Sequence, residues 1–169
     1  VLVSTFLGSN PSGPVLKISW VSSQKLFLFD FDGVIVDGMN EYWHSSLLAF
    51  EKYLNSPDIV IDQNLYNQVS NIFIEMRPWV KYGWEMLIIV HQIIKKEDPL
   101  NNQNKFDFLN RYQQNCQKVL LENSWVAEDL QKGLDKARKY QIDKDFDSWI
   151  KLHHPFYEVM DFIEKVKKD

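Results

Sequence analysis

Two aspartates two residues apart, Asp30 and Asp32, directly follow the apolar run Leu26-Phe27-Leu28-Phe29 in the stretch Asp30-Phe31-Asp32-Gly33-Val34-Ile35-Val36-Asp37. A chain that opens into a glycine-containing loop at this point can turn both carboxylates toward one ligand, and Gly33 supplies the freedom to do so. Backbone N–H groups of Phe31, Asp32 and Gly33 in such a loop can cradle a phosphoryl group. A carboxylate beside a bound divalent cation stays ionised and nucleophilic, which is the setting expected of Asp30.

The element that must deliver Asp30 is a strand. Residues 26–29 are continuously apolar, the pattern of a central strand covered on both faces. An earlier half-exposed strand is expected over Val15–Trp20, where Leu16, Ile18 and Trp20 share a face. From Gly38 to Lys168 the periods are helical, with no strand. Trp43, Leu47, Phe50 and Leu54 form one stripe, and Leu65, Val69, Ile72, Phe73 and Met76 form another. Pro78 suits a first helical turn, and Trp79 to Ile94 is apolar on most sides, so this helix is expected to be the most buried. Glu97 to Asn104 breaks it. Leu109, Tyr112, Cys116, Val119 and Leu120 make the next stripe. Leu130, Leu134 and Ala137 follow, with Ser124 as the expected cap. A short helix is expected over Asp143–Leu152. His153-His154-Pro155 restarts the chain before an amphipathic helix bearing Phe156, Val159, Met160, Ile163 and Val166.

An apolar strand followed by Asp-x-Asp-Gly-x-x-x-Asp is similar to the first motif of haloacid dehalogenase superfamily hydrolases, over about a dozen residues. The resemblance implies that Asp30 attacks phosphorus to form an aspartyl-phosphate, and that Asp32 protonates the leaving group and then activates water. It implies Mg2+ held by the Asp30 carboxylate and the Asp32 backbone carbonyl. Aspartate at position 32 separates the chain from the dehalogenases and from the ion-pumping ATPases, so phosphate-ester chemistry is expected, on a small phosphorylated metabolite. The implied fold is α/β: a doubly wound core formed by residues 1–37 and 153–169, interrupted by an all-helical cap over 38–152, with Asp37-Gly38 and His153-His154-Pro155 at the hinges. The family's later motifs, a Ser or Thr, a Lys and an acidic pair, are not found before Asp169. The chain is therefore expected to be the amino-terminal part of a longer enzyme, weakly active or inactive alone, and prone to self-associate through uncovered apolar faces. The alternatives are a non-catalytic helical interaction module that retains only the first motif, and a four- or five-helix bundle with a decorative hairpin.

Other residues have simpler readings. Asp145-Phe146-Asp147 repeats the tripeptide without the apolar run or the glycine, and reads as a solvated helix start. Asp143, Asp145 and Asp147 imitate the opening of a calcium loop, but Ser148 and His154 stand where Gly and Glu are needed. Asp37 either shapes the loop or caps the following helix. Cys116 and His91 lie on apolar helical faces and read as packing. The adjacent His153 and His154 diverge and make a poor metal pair. Trp43, Trp79, Trp84 and Lys81 are candidates to face a substrate from the helices, and Arg77 is the candidate substrate contact because a guanidinium suits phosphate.

The 169 residues are 45% hydrophobic, enough for a core. The net charge of −4, with Lys and Arg scattered among acids, offers no stripe for nucleic acid. One cysteine allows no internal disulfide, which fits the cytoplasm. The longest apolar stretch falls short of the roughly 20 residues of a membrane span.

Overall fold

The computed structural model describes residues 26–54, 59–95 and 109–167. Of these, 69% lie in helices and 4% in strands. The elements are β1 (Val36–Asp37), α1 (Met39–Lys52), a 3-10 turn (Gln63–Asn67), α2 (Asn71–Met76), a second 3-10 turn (Arg77–Trp79), α3 (Gly83–Ile94), α4 (Tyr112–Glu122), α5 (Ala127–Lys144), α6 (Phe146–Ile150), β2 (His154–Pro155) and α7 (Tyr157–Val166). The expected strand over Val15–Trp20, the break over Glu97–Asn104 and the last two residues lie outside the described residues.

This architecture corrects the α/β expectation. The described residues form a mostly helical fold, not a doubly wound core. Residues 26–30 have no regular secondary structure and join no ladder among the described residues, because an apolar run becomes a strand only when neighbouring strands satisfy its backbone groups. The one sheet among the described residues is the antiparallel pair β1–β2, in register Val36↔Pro155 and Asp37↔His154. Its second strand falls at His154–Pro155, where a hinge and no strand was expected. Two residues per strand are too few to show a period, and Pro155 is tolerated because both strands are edges.

The core is built by α1, α3 and α5, with α1 packed most extensively on α5 and α3 lying against both. Met39, Trp43, Leu47 and Phe50 of α1 are buried at helical spacing, as are Leu130, Leu134 and Ala137 of α5. Helix α3 is buried from Glu85 through Gln92, on every side, as its all-round apolar sequence requires. A polar clasp also joins α1 to α5. Arg138 Nε and Nη2 donate to the two Glu41 carboxylate oxygens, each at 2.9 Å, and Gln141 donates to Ser45 at 2.7 Å. Burial opposes the Arg138 charge, but the paired Glu41 outweighs it and raises the guanidinium's pKa.

Several boundaries shift for identifiable reasons. The stripe from Leu65 to Met76 is two pieces, since Asp62 accepts from Asn64 N at 2.9 Å to start the first 3-10 turn and the chain runs extended through Gln68 and Ser70 before α2. Helix α3 begins at Gly83, four residues after Trp79. Glu85 reaches back to accept from Lys81 N at 2.7 Å and Tyr82 N at 3.5 Å, closing the first turn there. Ser124 does not cap α5. With φ +54 it ends α4, where Ser124 N donates to Leu121 O at 3.1 Å and Trp125 N to Leu120 O at 2.8 Å, the paired bonds of a Schellman ending. The expected helix over 143–152 divides at Asp145, whose carboxylate accepts from Ser148 N at 3.0 Å and caps α6.

Candidate functional site

The loop that carries the aspartates is closed by its own backbone. Ile35 N and Val36 N both donate to Phe31 O, at 3.0 and 3.1 Å, and Gly33 N donates to Val36 O at 2.7 Å. Gly33 sits at φ +76, a conformation that disfavours any residue with a Cβ. Asp30 is exposed, and its Oδ1 accepts from Phe31 N at 2.8 Å. Two of the three amides expected to cradle a phosphoryl group, those of Phe31 and Gly33, are therefore already engaged within the loop. The Asp32 amide makes no hydrogen bond among the described residues.

Arg77 meets this loop. It begins the 3-10 turn after α2 and donates from Nη2 to Asp32 Oδ2 at 3.0 Å. The ring of Tyr42 lies 5.9 Å from the Arg77 guanidinium and 4.3 Å from that of Arg138, so α1 supplies an aromatic face between two cations. On the other side of Asp32, Gly38 makes room for the carboxylate, because a Cβ on Gly38 would stand 2.8 Å from Asp32 Oδ1. Sequence reasoning placed Gly38 at a hinge and missed this close approach. Nothing in the sequence marks Tyr42 as part of the site.

The rest of the loop is held by its ends. Asp37 Oδ1 accepts from Met39 N at 2.9 Å, so this acid supports the start of α1. Asn40 Nδ2 lies 2.6 Å from His154 Nε2, across the β1–β2 pair, and Phe156 N donates to Ile35 O at 2.9 Å. His153 packs 4.6 Å edge-on to Trp149 and 6.4 Å from Phe31. Phe27 and Phe29 both contact Phe162 of α7, at 5.7 and 6.2 Å between ring centres.

Among the described residues no group of three or more His, Cys, Asp and Glu side chains is placed to hold a metal ion. Magnesium does not require one, since it keeps several waters and binds through one or two protein oxygens plus substrate phosphate. The Asp30 carboxylate, which spends one oxygen on Phe31 N, and the Asp32 carbonyl fit that limited role.

The remaining candidates lie elsewhere. Cys116 is fully buried, and burial pushes its thiol up to about 12, so it is packing rather than a nucleophile. His91 is buried between Trp125 and Phe50, with Nε2 lacking a partner, and burial lowers its pKa to about 4. Trp43 is a core residue whose Nε1 donates to Leu65 O at 2.7 Å. Trp79 and Lys81 are exposed beside a cavity, away from the aspartate loop's own residues. No helix among the described residues is long and apolar enough to cross a membrane. No protein-family model, curated protein or solved structure matches the chain.

Proposed function

We propose that this protein performs magnesium-dependent phosphoryl transfer of the haloacid dehalogenase kind, on a small phosphate monoester, through an aspartyl-phosphate at Asp30. The observation that carries the reading is the Arg77–Asp32 contact at 3.0 Å beside the Gly33 loop. The contact supports the reading because a guanidinium, a group suited to phosphate, comes from a distant helical segment to lie against Asp32.

In this scheme a carboxylate oxygen of Asp30 attacks phosphorus as the ester P–O bond breaks, and Asp32 gives its proton to the departing alkoxide, releasing an alcohol. Asp32 then takes a proton from water, the water oxygen attacks phosphorus, and inorganic phosphate leaves while the Asp30 carboxylate is restored. The substrate phosphate takes Arg77 from Asp32, and the released carboxylate takes up from solvent the proton that it then gives to the alkoxide. Magnesium, which the Asp30 carboxylate and the Asp32 carbonyl would hold, supplies neutralising charge for the phosphoryl oxygens. Arg77 provides the sole ion pair to either aspartate among the described residues. Turnover by these residues alone is accordingly weak or nil, and a cytoplasmic setting suits both the free thiol and a phosphorylated metabolite.

The test uses the phosphoryl analogue beryllium fluoride, which adds to a carboxylate without turnover. With magnesium it should raise the melting temperature by roughly 5–10 °C, the size expected of ligand near 100-fold above its Kd. Asp30→Asn should abolish the rise. No rise, or one that survives Asp30→Asn, overturns the proposal. A second reading, a non-catalytic helical interaction module, is favoured by the core, which is closed by α1, α3 and α5 without the aspartate loop. It expects neither magnesium nor the analogue to alter melting.

A further inference from the structure

A cavity of about 660 Å³ opens between the chain at Pro78, Trp79 and Lys81 and the start of α4 at residues 109–114. That volume falls in the ~300–1,000 Å³ range of small-molecule sites. Its two walls are tied together by one buried carboxylate. Glu85, fully inaccessible, accepts from Lys81 N at 2.7 Å on one side, and from Tyr112 Oη at 3.3 Å and Gln113 Nε2 at 3.2 Å on the other. These donors engage both carboxylate oxygens, and they hold the walls at a set separation without a ligand.

The lining that faces solvent is cationic, aromatic and amide-rich. Lys81 and Arg111 are both exposed, and neither has an acidic partner among the described residues. Among the described residues no Asp or Glu lines the cavity. Trp79 leaves 40% of its surface open, a large indole area to leave wet on a residue that stacks readily. Asn110 and Gln114 add carboxamides, each able to donate and accept. A cationic ligand would meet two like charges here, and a purely apolar one would strip water from two charges and two amides without replacing it.

We infer that this cavity binds a small anion carrying a flat ring, the class represented by nucleoside monophosphates. The Trp79 indole stacks on the ring, Lys81 and Arg111 hold the anionic group, and Asn110 and Gln114 meet the ring's polar edge. No lining residue belongs to the Asp30–Asp37 loop, so the inference stands apart from the phosphoryl-transfer reading.

Calorimetric titration of the full chain with AMP, GMP, CMP and UMP, and with adenosine and inorganic phosphate as the separated halves, tests it. At least one nucleotide should bind about tenfold more tightly than either half. Trp79→Ala should weaken it by about tenfold, in the range that base–aromatic stacking carries. Lys81→Ala and Arg111→Ala, both exposed and tolerable to the fold, should each weaken it severalfold and reduce its salt dependence. Absence of binding by all four nucleotides at millimolar concentration, or binding unaffected by Lys81→Ala combined with Arg111→Ala, overturns the inference.

Discussion

Arg77 Nη2 donates to Asp32 Oδ2 at 3.0 Å across 45 positions of sequence, and this contact joins the aspartate loop to the helical segment. The two side chains are 25% and 30% exposed, so water screens the pair and its stabilisation is small. A double-mutant cycle of Arg77→Met and Asp32→Asn should give a coupling of about 0.5–1 kcal/mol at low salt, shrinking at 1 M salt to near zero. A coupling near zero at low salt would mean that the contact does not form in solution.

Gly33 and Gly38 are needed for different reasons, and the two should respond differently to substitution. At Gly33, φ +76 penalises any Cβ but the space around it is open, so Gly33→Ala should cost about 1 kcal/mol and Gly33→Asn less. At Gly38 the obstacle is the Asp32 carboxylate 2.8 Å away. Gly38→Ala must displace Asp32, and Asp32→Ala should relieve it. Urea denaturation of the single and double variants reads both effects, and equal costs for Gly38→Ala with and without Asp32 would refute the steric account.

His91 makes stability depend on pH. Burial, and next the charge of Lys95, lower its pKa from 6.5 to about 4. The unfolded chain therefore takes up a proton between these values while the folded chain does not, so stability is present above pH 6.5 and falls as the pH drops toward 4. The slope approaches about 1.4 kcal/mol per pH unit for this one group. His44, lowered chiefly by burial, acts in the same direction. Melting measured from pH 7 to 4.5 should show the decline, and His91→Leu should flatten it. An equally steep decline in His91→Leu would assign the dependence to other groups.

Among the described residues, Leu26, Leu28 and Phe31 beside the aspartates and Phe156, Tyr157 and Met160 at the start of α7 are large apolar side chains left exposed. Exposed apolar groups that gather into one patch drive association. Sedimentation should show concentration-dependent self-association, and Leu28→Lys with Met160→Lys should return the chain to a monomer. A wild-type chain that stays monomeric throughout the micromolar range would show that this face is compatible with water as it stands.

Much was legible in the sequence by itself: the paired aspartates before Gly33, the buried stripes of α1 and α5, the all-round burial of α3 and the packing role of Cys116. Each of these is set by residue type and spacing along a few turns of chain. The tertiary structure alone decided that residues 26–30 stay outside the β1–β2 sheet, that His154-Pro155 pairs with Val36-Asp37, that Arg77 closes on Asp32 and that Gly38 leaves room for it. Those outcomes depend on groups brought together from far along the chain. A strand needs a partner for its backbone, and a carboxylate near a loop takes whichever cation the packing of distant helices delivers.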